Sequence, residues 1–391
     1  MKILFVAQNL NIGGVQTSLK NTCNMLLKEY ADIDIELFTF SDGAISELLD
    51  KRIKVKKGKK LLNLLLTPIN DIKTSKRLFD LFLRYLLILC AKIIGVKNLY
   101  SFLFLFERTK DEYDVAISFF NDVPGGYSNK GTNWYVDKFV KAKKKAAWIH
   151  TDPEKAGFNE YDCEKTYRNF DIIACVSNAT KHKFDEFLPE YKTKTCVVYN
   201  IFDEAEIKKK ATCDIPFDKN GIINLITVGR IDNATKRLDR IAEICKSLKA
   251  KGITAFKWRI VGDGPDFEKN MQLVEDFNIG DVVEFVGAKI NPYPYIKNSD
   301  LFVLTSDYEG YPMVIGESLL LGVPVITTSF AAASEMVTPG VNGYITGMNT
   351  EELLECVGKL LLNPCELGRL KGSPNETPST EVWQKQMLQI L

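Results

Sequence analysis

The sequence predicts an α/β protein built from two doubly wound, parallel-sheet domains. Short, wholly apolar runs, each about one strand long, alternate with stretches of helical periodicity. That alternation passes through the chain twice, with a polar and charged stretch at 200–218 between the two passes. A length of 391 residues also exceeds what one hydrophobic core ordinarily organises.

In chain order, residues 3–7 are apolar without interruption, as suits a strand buried on both faces of a parallel sheet. A polar, Gly-containing loop at 8–14 leads into a helix ending near Leu27. Further strands are expected at 33–40, 115–119, 146–149, 172–176 and 195–199. The second pass is cleaner. It has strands at 223–228, 257–261, 282–286, 301–305 and 323–327, and helices near 238–251 and 314–321. Strands alternating with helices in both halves imply two parallel sheets with helical crossovers. A Pro/Ser/Thr loop at 372–380 precedes a short amphipathic helix at 381–391.

Bulk properties narrow the function classes. Hydrophobic residues make up 46% and charged residues 26%, as in a globular domain protein. The net charge of +1 is unevenly spread. Residues 1–200 hold 31 Lys+Arg against 24 Asp+Glu, a net of +7, so the remainder holds 20 against 26, a net of −6. The basic half is expected to face something anionic. Nine dispersed cysteines without C-x-x-C spacing read as reduced thiols of a cytosolic protein. Two histidines, His150 and His182, without H-E-x-x-H argue against zinc. The N-terminus reaches polar residues too soon for a signal peptide, so secretion is not expected.

The segment 51–60 holds seven basic residues in ten and no acid, and 78–106 is rich in Leu, Ile and Phe. Asp80, Arg84, Lys92 and Lys97 interrupt that stretch, so it offers no uncharged run near the roughly 20 residues a spanning helix needs. Two readings stand: an interfacial segment on an anionic membrane surface, or a solvated basic loop followed by core helices.

Several residue constellations carry chemistry. Glu309 and Glu317 have seven residues between them, within a stretch that begins Ser306-Asp307-Tyr308-Glu309-Gly310-Tyr311-Pro312-Met313. Gly310 and Pro312 break the backbone, which places Glu309 at a helix mouth and Glu317 inside the helix. A helix N-terminus offers unpaired N–H groups and a positive dipole end to a phosphate. Val228-Gly229-Arg230 closes a strand, and Lys236-Arg237 follow. Ligands of open α/β sheets bind beyond the carboxyl ends of strands, where Arg offers a fork and Lys a point charge to a diphosphate. Gly262-Asp263-Gly264-Pro265 reads as a tight turn that needs Gly for its backbone angles. Gly13-Gly14-Val15-Gln16 opens the first helix and lets backbone amides approach a ligand. It is not G-x-G-x-x-G, so a nicotinamide dehydrogenase is disfavoured even with Asp42 after the second strand. His150, ending Ala146-Ala147-Trp148-Ile149, is a lone strand-end histidine of a kind that is usually structural.

Together these residues resemble the family 4 retaining glycosyltransferases of GT-B fold, of the bacterial cell-surface polysaccharide type. The resemblance spans nearly the whole chain and is strongest over 224–343. The Glu309/Glu317 pair is its most specific signature. Val228-Gly229-Arg230 with Lys236, Gly262-Asp263-Gly264-Pro265 and Gly322-Val323-Pro324-Val325 stand in the family's order, as do Gly13-Gly14, His150-Thr151 and Val198-Tyr199-Asn200 in the first half. The resemblance implies two Rossmann-like domains facing a central cleft. Residues 1–200 would form the acceptor side, with the helix 381–391 packing back on it, and residues 201–375 would bind a nucleotide-sugar.

The implied roles follow. Arg230 and Lys236 would hold the donor diphosphate and stabilise the charge of the leaving group. Gly13, Gly14 and the amides near Met313 and Val314 would extend the phosphate cradle. Glu317 would bind the ribose, Gly287 would lie near the nucleobase, and Glu309 would contact the transferred sugar. His150 would position that sugar or its acceptor. Arg230, Lys236, Glu309 and His150 form the implied catalytic set. No cofactor and no metal are implied, since cations and helix dipole take the charge.

The implied reaction is retaining hexosyl transfer from a UDP-sugar to a saccharide or lipid-linked saccharide in cell-surface polysaccharide biosynthesis. The implied setting is cytoplasmic, peripheral on the inner membrane face, with no nucleic-acid partner. Arg237 stands where the family often has Gly, either adding charge to the phosphate site or facing solvent. Rival readings are a nucleotide-sugar hydrolase or phosphorylase, and a catalytically silent GT-B scaffold or glycan-binding partner.

Overall fold

The computed structural model describes residues 1–67, 69–74, 77–120, 122–123, 131–213, 221–372 and 377–391. Positions 214–218 of the expected linker and 373–376 of the expected tail loop lie outside them. The chain divides into two compact units: Met1–Ile201 with Thr380–Leu391, and Phe202–Ser379.

Among the described residues the N-terminal unit holds a seven-stranded sheet. Its strands are β1 (Lys2–Ala7), β2 (Asp34–Thr39), β3 (Lys54–Lys57), β4 (Glu112–Ser118), β5 (Lys141–Ile149), β6 (Ile172–Cys175) and β7 (Thr195–Val197). All pairings are parallel, in the order β3-β2-β1-β4-β5-β6-β7. The crossovers contain α1 (Gly14–Glu29), α2 (Lys60–Leu66), α3 (Ile69–Thr74), α4 (Leu78–Ile94), α5 (Val96–Leu105), α6 (Thr132–Phe139), α7 (Glu160–Tyr167) and α8 (Asn178–Phe187). Ile3 to Ala7 are almost wholly buried because helices cover both faces of the central strand. An aromatic cluster of Phe38, Phe40, Phe104 and Tyr135, with ring centroids 4.7–6.0 Å apart, fills one face.

β3 is a strand that the sequence pattern did not announce. Its residues Lys54, Lys56 and Lys57 read as a basic loop, yet the strand pairs in register with β2, Glu36 opposite Lys54 and Thr39 opposite Lys57. Cross-strand ion pairs hold it: Lys54 with Asp34 at 2.9 Å, Lys56 with Glu36 at 2.6 Å, and Lys57 with Asp42. Lysines on an edge strand also discourage pairing with another chain. The buried Glu36 carboxylate accepts a further hydrogen bond from the Tyr113 hydroxyl at 2.6 Å. Burial and that carboxylate together push the Tyr113 hydroxyl well above the usual phenol range.

The C-terminal unit begins with α9 (Glu204–Lys210). Among its described residues it holds β8 (Ile223–Val228), β9 (Phe256–Val261), β10 (Val283–Phe285), β11 (Leu301–Leu304), β12 (Val325–Thr328) and β13 (Gly343–Thr346). These form a six-stranded parallel sheet ordered β10-β9-β8-β11-β12-β13. Its helices are α10 (Asp239–Ala250), α11 (Phe267–Asp276), α12 (Tyr293–Lys297), α13 (Met313–Leu320), α14 (Thr350–Leu362) and α15 (Pro364–Leu370). Trp258 is fully buried, and its indole N–H donates to Thr227 Oγ1 at 3.1 Å, whose hydroxyl donates to the Val303 carbonyl at 2.7 Å. β13 was also unannounced: Gly343-Tyr344-Ile345-Thr346 is a short edge strand with little apolar content. In both sheets the order reverses around the first strand, the doubly wound arrangement that places a crevice at β1/β4 and at β8/β11.

The last helix, α16 (Thr380–Met387), belongs to the N-terminal unit. Trp383 and Met387 are fully buried, Gln386 Oε1 accepts from the Tyr199 amide at 3.1 Å, and Lys144 Nζ donates to the Gln389 carbonyl at 2.8 Å. Among the described residues no helix is long and apolar enough to cross a membrane. Because the large Trp383 side chain is fully buried, Trp383→Ala is expected to cost about 3–5 kcal/mol. Urea denaturation followed by circular dichroism checks this, and an unchanged midpoint would contradict the docking.

Candidate functional site

The carboxyl ends of β8 and β11 lie side by side at the C-terminal unit's switch point. Each runs into a loop that carries charge. The loop after β8 supplies Arg230, Lys236 and Arg237. The loop after β11 supplies Ser306, Asp307 and Glu309 before α13 opens at Met313.

Backbone bonds stitch the loops together. The Asp307 amide donates to the Thr235 carbonyl at 2.9 Å, and the Thr305 hydroxyl donates to the Lys236 carbonyl at 2.7 Å. Across this seam Lys236 Nζ pairs with Glu309 Oε1, which also accepts from Ser306 Oγ at 2.7 Å. Both side chains are largely enclosed, so the pair feels a lower dielectric than surface ions do. Arg230 behaves differently. Its guanidinium is exposed, and its ion pair with Asp232 spans 3.9 Å.

Arg237 adopts φ 51°, a left-handed conformation uncommon for a side chain this large. Its guanidinium donates to Asp239 at 3.0–3.3 Å and to Asp307 at 3.3 Å. Hydrogen bonding to Asp239 holds it above its ordinary pKa. Two aspartates engage it, so it does not simply face solvent. Arg240 takes the other oxygen of Asp307 at 2.7 Å and donates to the carbonyls of Thr305 and Met348 at 2.7 and 2.6 Å. Asp307 is therefore clamped between two arginines, which fixes the loop bearing Glu309.

α13 has eight residues, Pro312 at its N-cap and no side-chain cap. Its opening amides, Met313 and Val314, thus present the positive end of the helix to the Lys236–Glu309 seam. Glu317 is the fifth residue of α13 and is 5% exposed. It accepts a hydrogen bond from the Tyr293 hydroxyl of α12 at 3.2 Å. Burial, with Glu317 second, raises the Tyr293 hydroxyl far above the phenol range, so it stays a donor. Gly316 lets the helix approach Phe202: a methyl group there would stand 2.3 Å from the ring.

The Gly262 turn corrects the backbone-angle reading. Neither Gly262 nor Gly264 has positive φ. A methyl at Gly262 would stand 1.9 Å from the Gly229 carbonyl oxygen, and one at Gly264 2.3 Å from that of Ile231. Close approach between the strand ends, not dihedral freedom, is the reason for glycine. The Gly262 amide donates to the Gly287 carbonyl at 3.1 Å, and Gly287 does have positive φ, 77°.

Sequence reasoning singled out Arg230, Lys236, Glu309, Glu317, Gly287, Met313 and Val314. All sit on this unit, and Lys236 with Glu309 are in direct contact. It passed over the supporting roles of Ser306, Asp307, Arg240 and Tyr293. Ser306 and Asp307 lie inside the quoted stretch, but Tyr293, 24 residues from Glu317, has no local signal.

Gly13, Gly14 and His150 belong to the N-terminal unit. Gly13 is the N-cap of α1, in extended conformation, and the first turn of α1 carries no acid and no side-chain cap. His150 follows β5, with Nε2 2.6 Å from the Phe119 carbonyl oxygen, so that nitrogen carries the donated proton. Its ring packs against Phe119 and Trp148, centroids 4.9 and 6.4 Å away. Among the described residues no group of three or more His, Cys, Asp or Glu could hold a metal ion.

Residues 216–371 match the family of glycosyl transferases group 1. The matched region contains the whole β8/β11 seam and α13. The chain is 32% identical over 142 residues to a putative colanic acid biosynthesis glycosyltransferase, WcaL, of Salmonella typhimurium, covering 34% of each protein. It is 34% identical over 240 residues to the poly(glycerol-phosphate) alpha-glucosyltransferase of Bacillus subtilis, covering 58% of this chain and 34% of that protein. The chain thus spans about a third of the length of either relative. Among solved structures, Anabaena HepE in complex with UDP and glucose matches with a TM-score of 0.70 at 18% identity, over 100% of this chain and 97% of that one. A variant of S. aureus TarM in complex with Fondaparinux, alpha-GlcNAc-glycerol and UDP matches with a TM-score of 0.70 at 15% identity, over 100% and 99%. At these identities the likeness shows the fold: two parallel-sheet Rossmann-like domains, as in the GT-B glycosyltransferases.

Two stability measurements test the site. Gly262→Ala is expected to cost about 1–3 kcal/mol, since the Gly229 backbone that the methyl would meet cannot yield by a rotamer change. A double-mutant cycle of Lys236→Met and Glu309→Gln is expected to read about 0.5–3 kcal/mol of coupling in urea denaturation, and zero coupling would mean the two do not meet.

Proposed function

We propose that the chain is a glycosyltransferase that moves a hexosyl unit from a nucleotide-sugar, UDP-linked, to a saccharide or lipid-linked saccharide acceptor, with retention at the anomeric carbon. The observation that carries this reading is the Lys236–Glu309 pair, set at the sheet's switch point in front of the uncapped end of α13. Fold neighbours solved in complex with UDP and sugars lend support, as does the family match of residues 216–371.

The chemistry follows from charge. A departing nucleoside diphosphate gains negative charge at its terminal phosphate. Lys236, Arg230 and the first amides of α13 are placed to offset it. In the unliganded chain Glu309 neutralises Lys236, and an arriving diphosphate competes for that ammonium. Glu309, released in part, is then assigned to hydroxyls of the transferred sugar. It already accepts hydrogen bonds from both Lys236 and Ser306, which suits a positioning carboxylate better than a nucleophile. Glu317, fixed by Tyr293, is assigned to the ribose hydroxyls, with the strand-end backbone at Gly287 near the base. No cofactor or metal has a role in this reading. For the N-terminal unit we propose the acceptor side, with His150 after β5 assigned to the transferred sugar or its acceptor.

The test is kinetic. Arg230→Ala and Lys236→Ala are each expected to lower kcat by about 10²–10³-fold at saturating donor and acceptor. Glu317→Ala is expected chiefly to raise the KM for the nucleotide-sugar. A panel of nucleotide-sugars in a thermal-shift assay should raise the melting temperature with the true donor. Products formed equally with and without acceptor would replace transfer by hydrolysis. Donor binding without turnover under any acceptor would leave a binding scaffold, and unchanged kcat in both cation variants would overturn the leaving-group assignment.

A further inference from the structure

α4 carries an apolar face that is exposed among the described residues. Leu78, Phe79, Phe82, Leu86, Leu89 and Ile93 are 44–78% exposed. At 3.6 residues per turn they fall within roughly a third of the helix circumference. The opposite side of α4 packs on α2, α3 and α5 and includes the buried Leu87. α5 continues the surface: Phe102, Leu105 and the following Phe106 are each just over half exposed, while Leu99, Leu103 and Phe104 turn into the core. Monomeric proteins rarely leave so many large apolar side chains contiguous, and such patches mark an interaction surface.

Charge decides what that surface fits. Residues 51–110 hold 15 Lys and Arg against three acids, Asp71, Asp80 and Glu107, a net of 15 − 3 = +12. The run at 51–60 is not the free polybasic arm its sequence resembles, because Lys54, Lys56 and Lys57 are engaged by carboxylates along the sheet edge. Further cations stand on α4, on α5 and just after it. Lys92, Lys97 and Arg108 are exposed and have no carboxylate partner among the described residues. Lys97 and Arg108 lie over the rings of Trp134 and Phe139, at 4.2 and 5.7 Å. At the other end of α4, Lys60 reaches back over Phe79 and pairs with Asp80, the acid of that helix. An apolar stripe with cations at both ends and its lone acid paired is complementary to acyl chains below anionic headgroups.

We propose that the α4–α5 face docks the N-terminal unit on an anionic lipid bilayer. α4 would lie along the surface, its Leu and Phe side chains at the headgroup–acyl boundary and Lys92, Lys97 and Arg108 among the phosphates. This docking is independent of the transfer chemistry proposed above, so either can fail alone.

The test uses the full chain with vesicles of phosphatidylcholine alone, or of phosphatidylcholine and phosphatidylglycerol in equal parts. Wild type is expected to sediment with the anionic vesicles and to be released by salt. Lys92→Gln/Lys97→Gln/Arg108→Gln is expected to weaken that binding on the order of a hundredfold. Phe82→Ser/Leu86→Ser/Leu89→Ser is expected to weaken it by about tenfold or more at an unchanged melting temperature, since these side chains are exposed. Should that variant fold poorly, Phe82→Trp supplies a direct readout, its emission moving to the blue when anionic vesicles are added. Wild type remaining in the supernatant with both vesicles would overturn the proposal, as would equal binding to both compositions. A wild-type dimer that the Ser variant breaks, without any vesicle binding, would assign the face to a second copy and equally overturn it.

Discussion

Lys236 and Glu309 are 73 residues apart in the chain, and they meet because β8 and β11 are neighbours in a sheet whose order reverses at β8. Parallel strands cannot be joined by tight turns, so each crossover leaves a loop at the carboxyl edge. Where the order reverses, the crossovers depart to opposite faces and leave the edge open. The charged seam occupies that opening. Thr305, Thr235 and Asp307 close the backbone across it, and Arg240 braces it from behind through Thr305 and Met348. A buried or half-buried ion pair is a poor source of stability on its own, because desolvation offsets attraction. At this helix mouth the pair carries one further side-chain hydrogen bond, from Ser306 Oγ to Glu309, and under the proposed function its ammonium can exchange the carboxylate for a phosphate.

The same seam depends on how near the backbones come. Gly262 and Gly264 pass within van der Waals distance of the Gly229 and Ile231 carbonyls, and Gly316 brings α13 onto Phe202. These glycines set the spacing of the strand ends and the axial position of α13. Glu317 is consequently delivered to Tyr293 at the right height, and Met313 and Val314 to the seam. Packing therefore governs the chemistry: one added methyl group moves a strand end, and a strand end carries a charged side chain.

The two units differ in how openly the sequence declares them. Buried central strands such as residues 3–7 and 223–228 are uninterrupted apolar runs, because both faces are covered, and they can be read directly. β3 and β13 cannot. One is made of lysines whose partners are acids on β2 and in the loop after it, and the other is four residues at the rim of its sheet. Edge strands take their identity from a neighbour, which local composition does not record. The basic run at 51–60 is a second such case, since its charge counts differently once Asp34, Glu36 and Asp42 have claimed three of its lysines.

By itself the sequence determined the α/β class, the two-fold repetition of the sheet, and the residue types at the strand ends. Local periodicity and the Glu309/Glu317 spacing are written into neighbouring positions, so no tertiary knowledge was needed. Only the tertiary structure decided that Lys236 finds Glu309, that Arg237 is held by Asp239 and Asp307, that Tyr293 supports Glu317, and that one face of α4 is left bare. Those outcomes depend on which strands become neighbours and how closely their ends pack, and both are settled by long-range burial.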